Sequence, residues 1–91
     1  MPTVVVYTKS FCPYCHSAMD LLRQKGAAFE EISLDDDRAA QAAMAAKAGG
    51  RSTVPQIFIG ATHVGGCDEL YALEDAGKLD GLLAQSEEKS A

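Results

Sequence analysis

The sequence has 91 residues, 47% of them hydrophobic and 23% charged, and a formal net charge of −5. This length suits one domain with a single modest core, and the composition is that of an ordinary globular protein. The negative charge argues against general binding to nucleic acid or to an anionic membrane surface, and we expect neither as a partner. The opening MPTVVVYTK resembles neither a signal peptide nor an anchor, so we expect a cytoplasmic protein, in which disulfides are usually transient and catalytic.

The first part of the chain predicts a strand, a helix and a second strand. Residues 4–7 are a β-branched and aromatic run typical of a buried strand. Pro13 suits the first turn of a helix, and Gly26 suits its left-handed cap. Residues 28–34 alternate apolar with polar side chains and predict the second strand. A unit of this kind predicts two parallel strands joined by a right-handed crossover.

The middle of the chain predicts a second helix, which is rich in alanine. Three aspartates at residues 35–37 precede it, and Gly49 and Gly50 end it. We interpret the aspartates as a cap favoured by the helix macrodipole, in preference to a metal site. The alanines give high helix propensity but little area to bury, so we expect this helix to be the most loosely held.

The last part of the chain predicts a hairpin followed by a helix. Residues 55–59 and 62–64 read as strands, with Gly60 and Ala61 as the two-residue turn. The helix begins at CDELYALEDA, and the leucines beyond it predict a last short turn on the core. We therefore expect one domain over residues 1–84 in the order β-α-β-α-β-β-α, then a polar tail over residues 85–91 that frays.

The stretch SFCPYCHSA places Cys12 and Cys15 two residues apart, with His16 directly after them. A redox dithiol, half of a metal site and covalent haem attachment all use this spacing. Haem is disfavoured because cytochromes of this size are helical, whereas this chain opens with a Val-rich strand. A zinc site completed by Cys67 and His63 is disfavoured because two glycines separate these residues on different elements, and because the chain has its own core.

Cys12 has the surroundings that a redox thiol needs. It directly precedes the predicted helix, where backbone N–H groups and the dipole stabilise a thiolate, and Lys9 can add a positive charge. Cys15 lies one turn into the helix, so it should be more buried, less reactive and placed to close a ring with Cys12. The sequence therefore predicts dithiol redox chemistry, with Cys12 as the nucleophile.

The chain resembles the glutaredoxins, of the dithiol type, over nearly its whole length. Three stretches carry the resemblance in the correct order and spacing: YTKSFCPYC at 7–15, TVPQIFIG at 53–60 and HVGGCDEL at 63–70. The resemblance implies an α/β, thioredoxin-like fold, a mixed four-stranded sheet flanked by helices, with Pro55 in the cis form. It also implies a glutathione-dependent oxidoreductase that reduces glutathione mixed disulfides and protein disulfides, and so takes part in electron transport and cell redox homeostasis.

The same resemblance implies where glutathione binds. The backbone of Val54 would pair with the cysteinyl part, and Lys9 would meet the glycine carboxylate, with Arg51 assisting. The γ-glutamyl end would reach the N–H groups of Cys67 and Asp68, and the Asp68 carboxylate would hold its ammonium. The sulfur of Cys67 is expected to take no part in the chemistry. The implied glutathione-binding residues are Lys9, Tyr14, Arg51, Thr53, Val54, Pro55, Gly66, Cys67 and Asp68.

A second class of function stays open, a binding module that holds an iron–sulfur cluster or zinc as a carrier or sensor. Some glutaredoxins bridge a [2Fe–2S] cluster between two monomers, but the usual cluster-binding members lack a proline where Pro13 stands. We therefore expect no resident metal and no tightly bound cofactor. Glutathione serves as reductant and co-substrate in this interpretation, disulfide-containing or glutathionylated proteins are the partners, and the chain is a monomer.

Overall fold

The computed structural model describes residues 2–84, and its elements follow the predicted order. The predicted last turn is a short helix, α4. The polar tail predicted over residues 85–91 lies outside the described residues, so the domain boundary stays a prediction. The elements are β1 (Val4–Thr8), α1 (Pro13–Gln24), β2 (Glu30–Ser33), α2 (Arg38–Lys47), β3 (Gln56–Ile59), β4 (Thr62–Gly65), α3 (Cys67–Asp75) and α4 (Leu79–Ala84).

The four strands form one mixed sheet in the order β2-β1-β3-β4. β1 and β2 are parallel, with Val6 opposite Glu31, and β3 lies antiparallel to β1, with Ile57 opposite the same Val6. β3 and β4 are antiparallel and form the predicted hairpin. The mixed four-stranded sheet, the parallel first pair and the antiparallel hairpin are therefore confirmed.

The bounds of all four strands differ by one or two residues from the sequence-based prediction: β1 ends at Thr8 instead of residue 7, and β4 ends at Gly65 instead of residue 64. β2 covers only Glu30–Ser33 instead of residues 28–34, because it is an edge strand that pairs with β1 alone over those positions. β3 begins at Gln56 and not at Pro55. The predicted cap of α2 is confirmed in detail, since one carboxylate oxygen of Asp37 accepts a hydrogen bond from the Ala40 N–H at 2.9 Å.

The helices cover the sheet unequally. α1, α3 and α4 bury apolar side chains of one large cluster, which includes Leu22, Leu70 and Leu79. α2 fully buries only Met44, which packs with Tyr7 and Leu34 in a smaller second cluster. The small buried area predicted for the alanine-rich helix is therefore confirmed.

Three chain segments meet at one end of this sheet and position the candidate site. They are the loop from β1 into α1, the segment before β3, and the link from β4 into α3. Within residues 2–84, no helix combines the length and the apolar character that crossing a membrane requires.

Candidate functional site

Cys12 is the N-cap residue of α1, and its side chain already makes the contact that an anion would use. Its Sγ accepts a hydrogen bond from the backbone N–H of Cys15 at 3.1 Å. Pro13 occupies the first turn of the helix, where its missing N–H costs nothing. The Cys12 Sγ also lies 4.0 Å from the carbonyl oxygen of Val54, so the sulfur faces the segment before β3. The backbone donor and the helix N-terminus predicted for this sulfur are both present.

Cys15 has a different environment one turn further on. Its side chain is 1% exposed, as part of the main core cluster. Burial first, and then the hydrogen bond to Cys12, raise the pKa of the Cys15 thiol to about 12, against an opposing backbone hydrogen bond from Lys9. Cys15 is therefore a protonated thiol at neutral pH. The predicted burial of Cys15 is confirmed, and all three cysteines are free.

An open pocket lies beside these two cysteines. Val54 belongs to both features, because its carbonyl oxygen faces the Cys12 sulfur and the residue also lines the pocket. The peptide bond between Val54 and Pro55 is cis, as the resemblance implies. Every residue predicted to bind glutathione lines this pocket except Lys9, and Glu69 joins them. The lining residues are Tyr14, Arg51, Thr53, Val54, Pro55, Gly66, Cys67, Asp68 and Glu69.

The N-terminus of α3 forms one wall of the pocket. Gly66 is the N-cap residue, so Cys67 and Asp68 present their backbone N–H groups in the first turn, where helix carbonyls cannot pair with them. The Asp68 side chain is exposed and makes no hydrogen bond or ion pair with any residue between 2 and 84. This wall therefore combines free backbone donors with one carboxylate, a set suited to an amino acid's carboxylate and ammonium.

Glu69 is a site residue that the sequence analysis did not include. Its Oε1 accepts from the Gly66 N–H at 2.6 Å and from the Arg51 Nη2 at 3.3 Å. The Gly66 N–H, followed by the Arg51 guanidinium, holds the pKa of the Glu69 carboxyl below its usual range. The available signal was a glutamate three residues after the N-cap residue of a predicted helix, which is half of a capping box. Since Gly66 has no side chain, the reciprocal half is missing, and this made the signal easy to overlook.

Gly65 lets the Glu69 carboxylate and the Arg51 guanidinium lie close to the backbone at this position. Its φ of +113° lies in a region that side-chain-bearing residues rarely adopt. A Cβ at this position would lie 2.7 Å from the Glu69 Oε1 and 3.0 Å from the Arg51 Nη1. The glycine therefore leaves room for the ion pair at the edge of the pocket.

Lys9 lies apart from the pocket. It lines a second depression on the other flank of the β1–α1 loop, together with Phe11, His16, Glu31 and Asp35. The Lys9 backbone forms a hydrogen bond with Cys15, but the Lys9 side chain forms no hydrogen bond or ion pair with the part of the chain that the structure describes. A contact from Lys9 to the glycine end of a ligand therefore stays a prediction, and Arg51 is the cation that lines the pocket itself.

The residues proposed for the alternative zinc site have other surroundings. The Nε2 of His63 lies 2.7 Å from the Gln56 Oε1, and its ring stacks on Phe58 with centroids 4.8 Å apart. Burial raises the pKa of the Cys67 thiol, and the Asp68 carboxylate raises it further. Among residues 2–84, no group of three or more His, Cys, Asp or Glu side chains is arranged to hold a metal ion.

Comparison with known proteins agrees with this geometry. The family model for glutaredoxin matches residues 4–64. The chain is 58% identical over 84 residues to a glutaredoxin of Pseudomonas aeruginosa, covering 92% of this chain and 99% of that protein. It is 54% identical over 83 residues to glutaredoxin 3 of Escherichia coli K12, covering 91% and 99%. The buckwheat glutaredoxin–glutathione complex matches its structure with a TM-score of 0.81 at 39% identity, covering 90% of this chain and 76% of that one.

The chain therefore belongs to the glutaredoxin family. It is a thiol–disulfide oxidoreductase with a thioredoxin-like fold.

Proposed function

We propose that this protein uses glutathione to reduce glutathione mixed disulfides and protein disulfides, through Cys12 and Cys15. The observation that carries the proposal is the position of the Cys12 sulfur, which caps α1 and faces Val54, one of the residues that line the pocket. The buckwheat relative was solved as a complex with glutathione, which supports this choice of ligand.

The charges around the pocket suit the two ends of glutathione. The γ-glutamyl carboxylate accepts from the N–H groups of Cys67 and Asp68, and the Asp68 carboxylate binds the ammonium. The cysteinyl part pairs with the backbone of Val54 as one more strand-like contact, which brings its sulfur towards Cys12. The glycine carboxylate lies towards Arg51 or Lys9, with Thr53, Pro55 and Tyr14 as the remaining walls.

Deglutathionylation needs only one enzyme cysteine. The Cys12 thiolate attacks the glutathione sulfur of a mixed disulfide, the sulfur–sulfur bond to the target breaks, and the target thiolate leaves and takes a proton from water. A second glutathione thiolate then attacks the glutathione sulfur held on Cys12. Oxidised glutathione leaves, and the Cys12 thiolate is restored.

Reduction of a protein disulfide uses both cysteines. Cys12 attacks one sulfur of the target and forms a mixed disulfide, and the other target sulfur leaves as a thiolate. Cys15 then loses its proton to water and attacks the Cys12 sulfur, so the Cys12–Cys15 bond forms and the bond between Cys12 and the target breaks. The second target thiolate leaves and takes a proton from water. Two glutathione molecules reduce the ring and leave as oxidised glutathione.

The environment of Cys15 favours this order of events. Two of the causes that raise its pKa are the hydrogen bond to Cys12 and the charge on Cys12. Both weaken once the Cys12 sulfur carries a substrate, because a disulfide sulfur has no negative charge and is a poor acceptor. Burial, the largest cause of the raised pKa, persists, but the Cys15 thiol is easier to deprotonate after Cys12 has reacted than before.

We propose further that the protein acts as a cytoplasmic monomer in redox homeostasis, with residues 1–84 as its glutaredoxin domain. Its partners are glutathione and proteins that carry disulfides or bound glutathione. The CPYC sequence and the pocket support this assignment over a cluster carrier, since Pro13 stands where the usual cluster-binding relatives lack a proline.

The direct test is turnover of the mixed disulfide of glutathione and cysteine, coupled to glutathione reductase and NADPH. We expect turnover with glutathione as the reductant, and its loss in Cys12→Ser. A matched reaction with free cysteine in place of glutathione, followed by direct measurement of the products, should be much slower. Equal rates with the two reductants, or full activity of Cys12→Ser, would overturn the proposal.

A further inference from the structure

Phe11 is the residue directly before Cys12, and its side chain is 99% exposed. Its φ is +58°, in the left-handed region that non-glycine residues adopt at a cost of roughly 1–2 kcal/mol. An aromatic ring placed fully in water gains nothing from burial within the chain. The orientation therefore needs a cause in the surrounding loop.

The loop is fixed on both sides of Phe11. The Ser10 N–H donates to both carboxylate oxygens of Asp35, at 3.0 and 3.2 Å, and the Ser10 hydroxyl donates to the same carboxylate. These bonds hold the pKa of the Asp35 carboxyl below its usual value, so the carboxylate stays charged at neutral pH. On the other side, Cys12 is held as the cap of α1. Phe11 lies between two anchored residues, which hold its backbone in the left-handed conformation.

Its position relative to the reacting sulfur restricts what can meet the ring. When Cys12 attacks a glutathionylated protein, the target sulfur is bonded at about 2 Å to the glutathione sulfur that Cys12 approaches. The polypeptide on either side of the target sulfur must therefore pass close to the residues beside Cys12. Phe11 lines the depression shared with Lys9 and His16, whereas the pocket proposed for glutathione has a separate lining.

We propose that the Phe11 ring is a docking contact for protein substrates, packing against apolar side chains next to the target cysteine while glutathione occupies the pocket. The inference rests on the proposed function and adds a recognition element that glutathione itself does not use. A polypeptide substrate is favoured over a second copy of this chain because a copy seated on Phe11 would cover Cys12.

The test compares one variant on two substrates. Phe11→Asn removes the ring but keeps the left-handed backbone, which asparagine tolerates, so the loop should stay intact. We expect kcat/KM for glutathionylated serum albumin to fall about threefold to tenfold, the usual effect of losing one aromatic contact in an interface. Turnover of the glutathione–cysteine mixed disulfide should stay within about twofold, since such differences are below 0.5 kcal/mol. Phe11→Tyr keeps the ring and should retain activity on both substrates.

Each other outcome has a definite meaning. An equal loss of kcat/KM on both substrates would show that Phe11 affects the conformation of Cys12 and does not contact protein substrates. An unchanged rate with the albumin substrate would show that the ring makes no productive contact. A wild-type dimer in sedimentation that Phe11→Asn dissociates would assign the ring to self-association and also overturn the proposal. If wild type failed on the small mixed disulfide, the proposed function itself would be wrong, independently of Phe11.

Discussion

The reactivity of the two active-site thiols is set by a separation of one helical turn. Cys12 caps α1 and is partly exposed, whereas Cys15 points from the same turn into the core. The backbone N–H of Cys15 donates a hydrogen bond to the Cys12 sulfur. The Cys15 thiol itself is kept protonated by burial and by its interaction with Cys12. The spacing of three residues therefore supplies one partly exposed sulfur, that of Cys12, and one buried sulfur, that of Cys15, which reacts only later.

Alkylation should separate these thiols in the native protein. With iodoacetamide at pH 7, we expect Cys12 to react first, and Cys15 and Cys67 to react far more slowly because both are buried thiols with raised pKa values. A time course of peptide mapping by mass spectrometry measures the three rates. The unfolded protein in urea is the control, in which the rates should converge. Modification of Cys15 as fast as Cys12 in the native state would contradict the assignment.

The lowered pKa of Glu69 predicts an acid-dependent contribution to stability. Its carboxylate is favoured in the folded state, so the contribution is present above the ordinary glutamate pKa of about 4.3 and is lost as pH falls through the lower folded value. Because the group is half exposed, we expect Glu69→Gln to cost about 1 kcal/mol or less at pH 7. Urea unfolding at pH 7 and at pH 3 measures the difference, which should shrink in acid.

Glu30→Gln is the matched control for that experiment. It removes the same charge from an exposed strand position whose side chain has no hydrogen bond or ion pair to any residue of the 2–84 range. Its effect on the free energy of unfolding should be small at both pH values. A cost for Glu69→Gln that is the same at pH 7 and pH 3 would show that the charge is not the cause.

At the residue scale, the sequence predicted where helices and strands begin better than it predicted which side chains distant in the sequence contact each other. Pro13 marks the helix start, and that start determines which cysteine is exposed. The contact between Arg51 and Glu69 joins a loop to a helix 18 residues later, and nothing in the sequence around either residue indicates this pairing. Lys9 was assigned to the pocket by resemblance; it lines a neighbouring depression in the structure, and its contact with glutathione stays a prediction.

At the element scale, the periodicity of apolar residues was sufficient to predict the order and type of the helices and strands. α1 shows why, since its buried residues recur at helical spacing, whereas β2 was predicted too long because an edge strand ends where its single partner ends. The last turn proved to be a helix, α4, whose buried Leu79 and Leu83 are four residues apart. Whether such a short segment forms a helix depends on its packing against the core more than on its own helix propensity.

The alanine-rich helix α2 should depend on one side chain. Met44 is its one fully buried residue, so Met44→Ala should lower the free energy of unfolding by about 2–4 kcal/mol. Met44→Leu, which roughly conserves volume, should cost less than about 1.5 kcal/mol. Hydrogen exchange should show weaker protection in α2 than in α1, and weaker still after Met44→Ala. Equal protection of the two helices in the wild-type protein would contradict this account of their packing.

Two glycines in different elements should respond oppositely to alanine. Gly65→Ala forces a strained backbone and a clash with Glu69, so it should destabilise the protein by about 1–3 kcal/mol. Gly81 lies inside α4, and a Cβ added there would meet no other atom within 4 Å, so Gly81→Ala should stabilise the protein by up to about 1 kcal/mol. Thermal unfolding of the two variants measures both effects. Similar shifts in Tm would remove the argument that Gly65 is needed for close approach.

At the scale of the whole molecule, the site exists only because three distant segments converge at one end of the sheet. The stretches containing CPYC, TVPQ and GGCD were recognisable one by one, and their resemblance to one family predicted that they meet. The resulting pocket is lined by a cation, Arg51, and by an anion that no other side chain neutralises within residues 2–84, Asp68, in a chain of net charge −5. Which cation meets the glycine carboxylate depends on side-chain directions that neither pattern nor composition reveals.

Kinetics of single variants should resolve that choice. Asp68→Ala and Lys9→Ala are each expected to raise KM for a glutathione mixed disulfide about fivefold with little change in kcat, since exposed ionic contacts contribute about 1 kcal/mol. Arg51→Ala tests the alternative cation in the same assay. A larger effect for Arg51→Ala than for Lys9→Ala would move the glycine end to Arg51. If Asp68→Ala and both cation variants left KM unchanged, the proposed placement of glutathione would be wrong.

The central claim is that Cys12 takes glutathione from the substrate and that Cys15 resolves only what Cys12 holds. Trapping the intermediate tests it most directly: the protein is mixed with the glutathione–cysteine disulfide, quenched in acid and mapped by mass spectrometry. Cys15→Ser should accumulate glutathione on Cys12 alone, Cys12→Ser should carry none, and wild type should also show the Cys12–Cys15 disulfide. Glutathione on Cys67, or on Cys15 in the Cys12→Ser variant at a comparable rate, would contradict the mechanism.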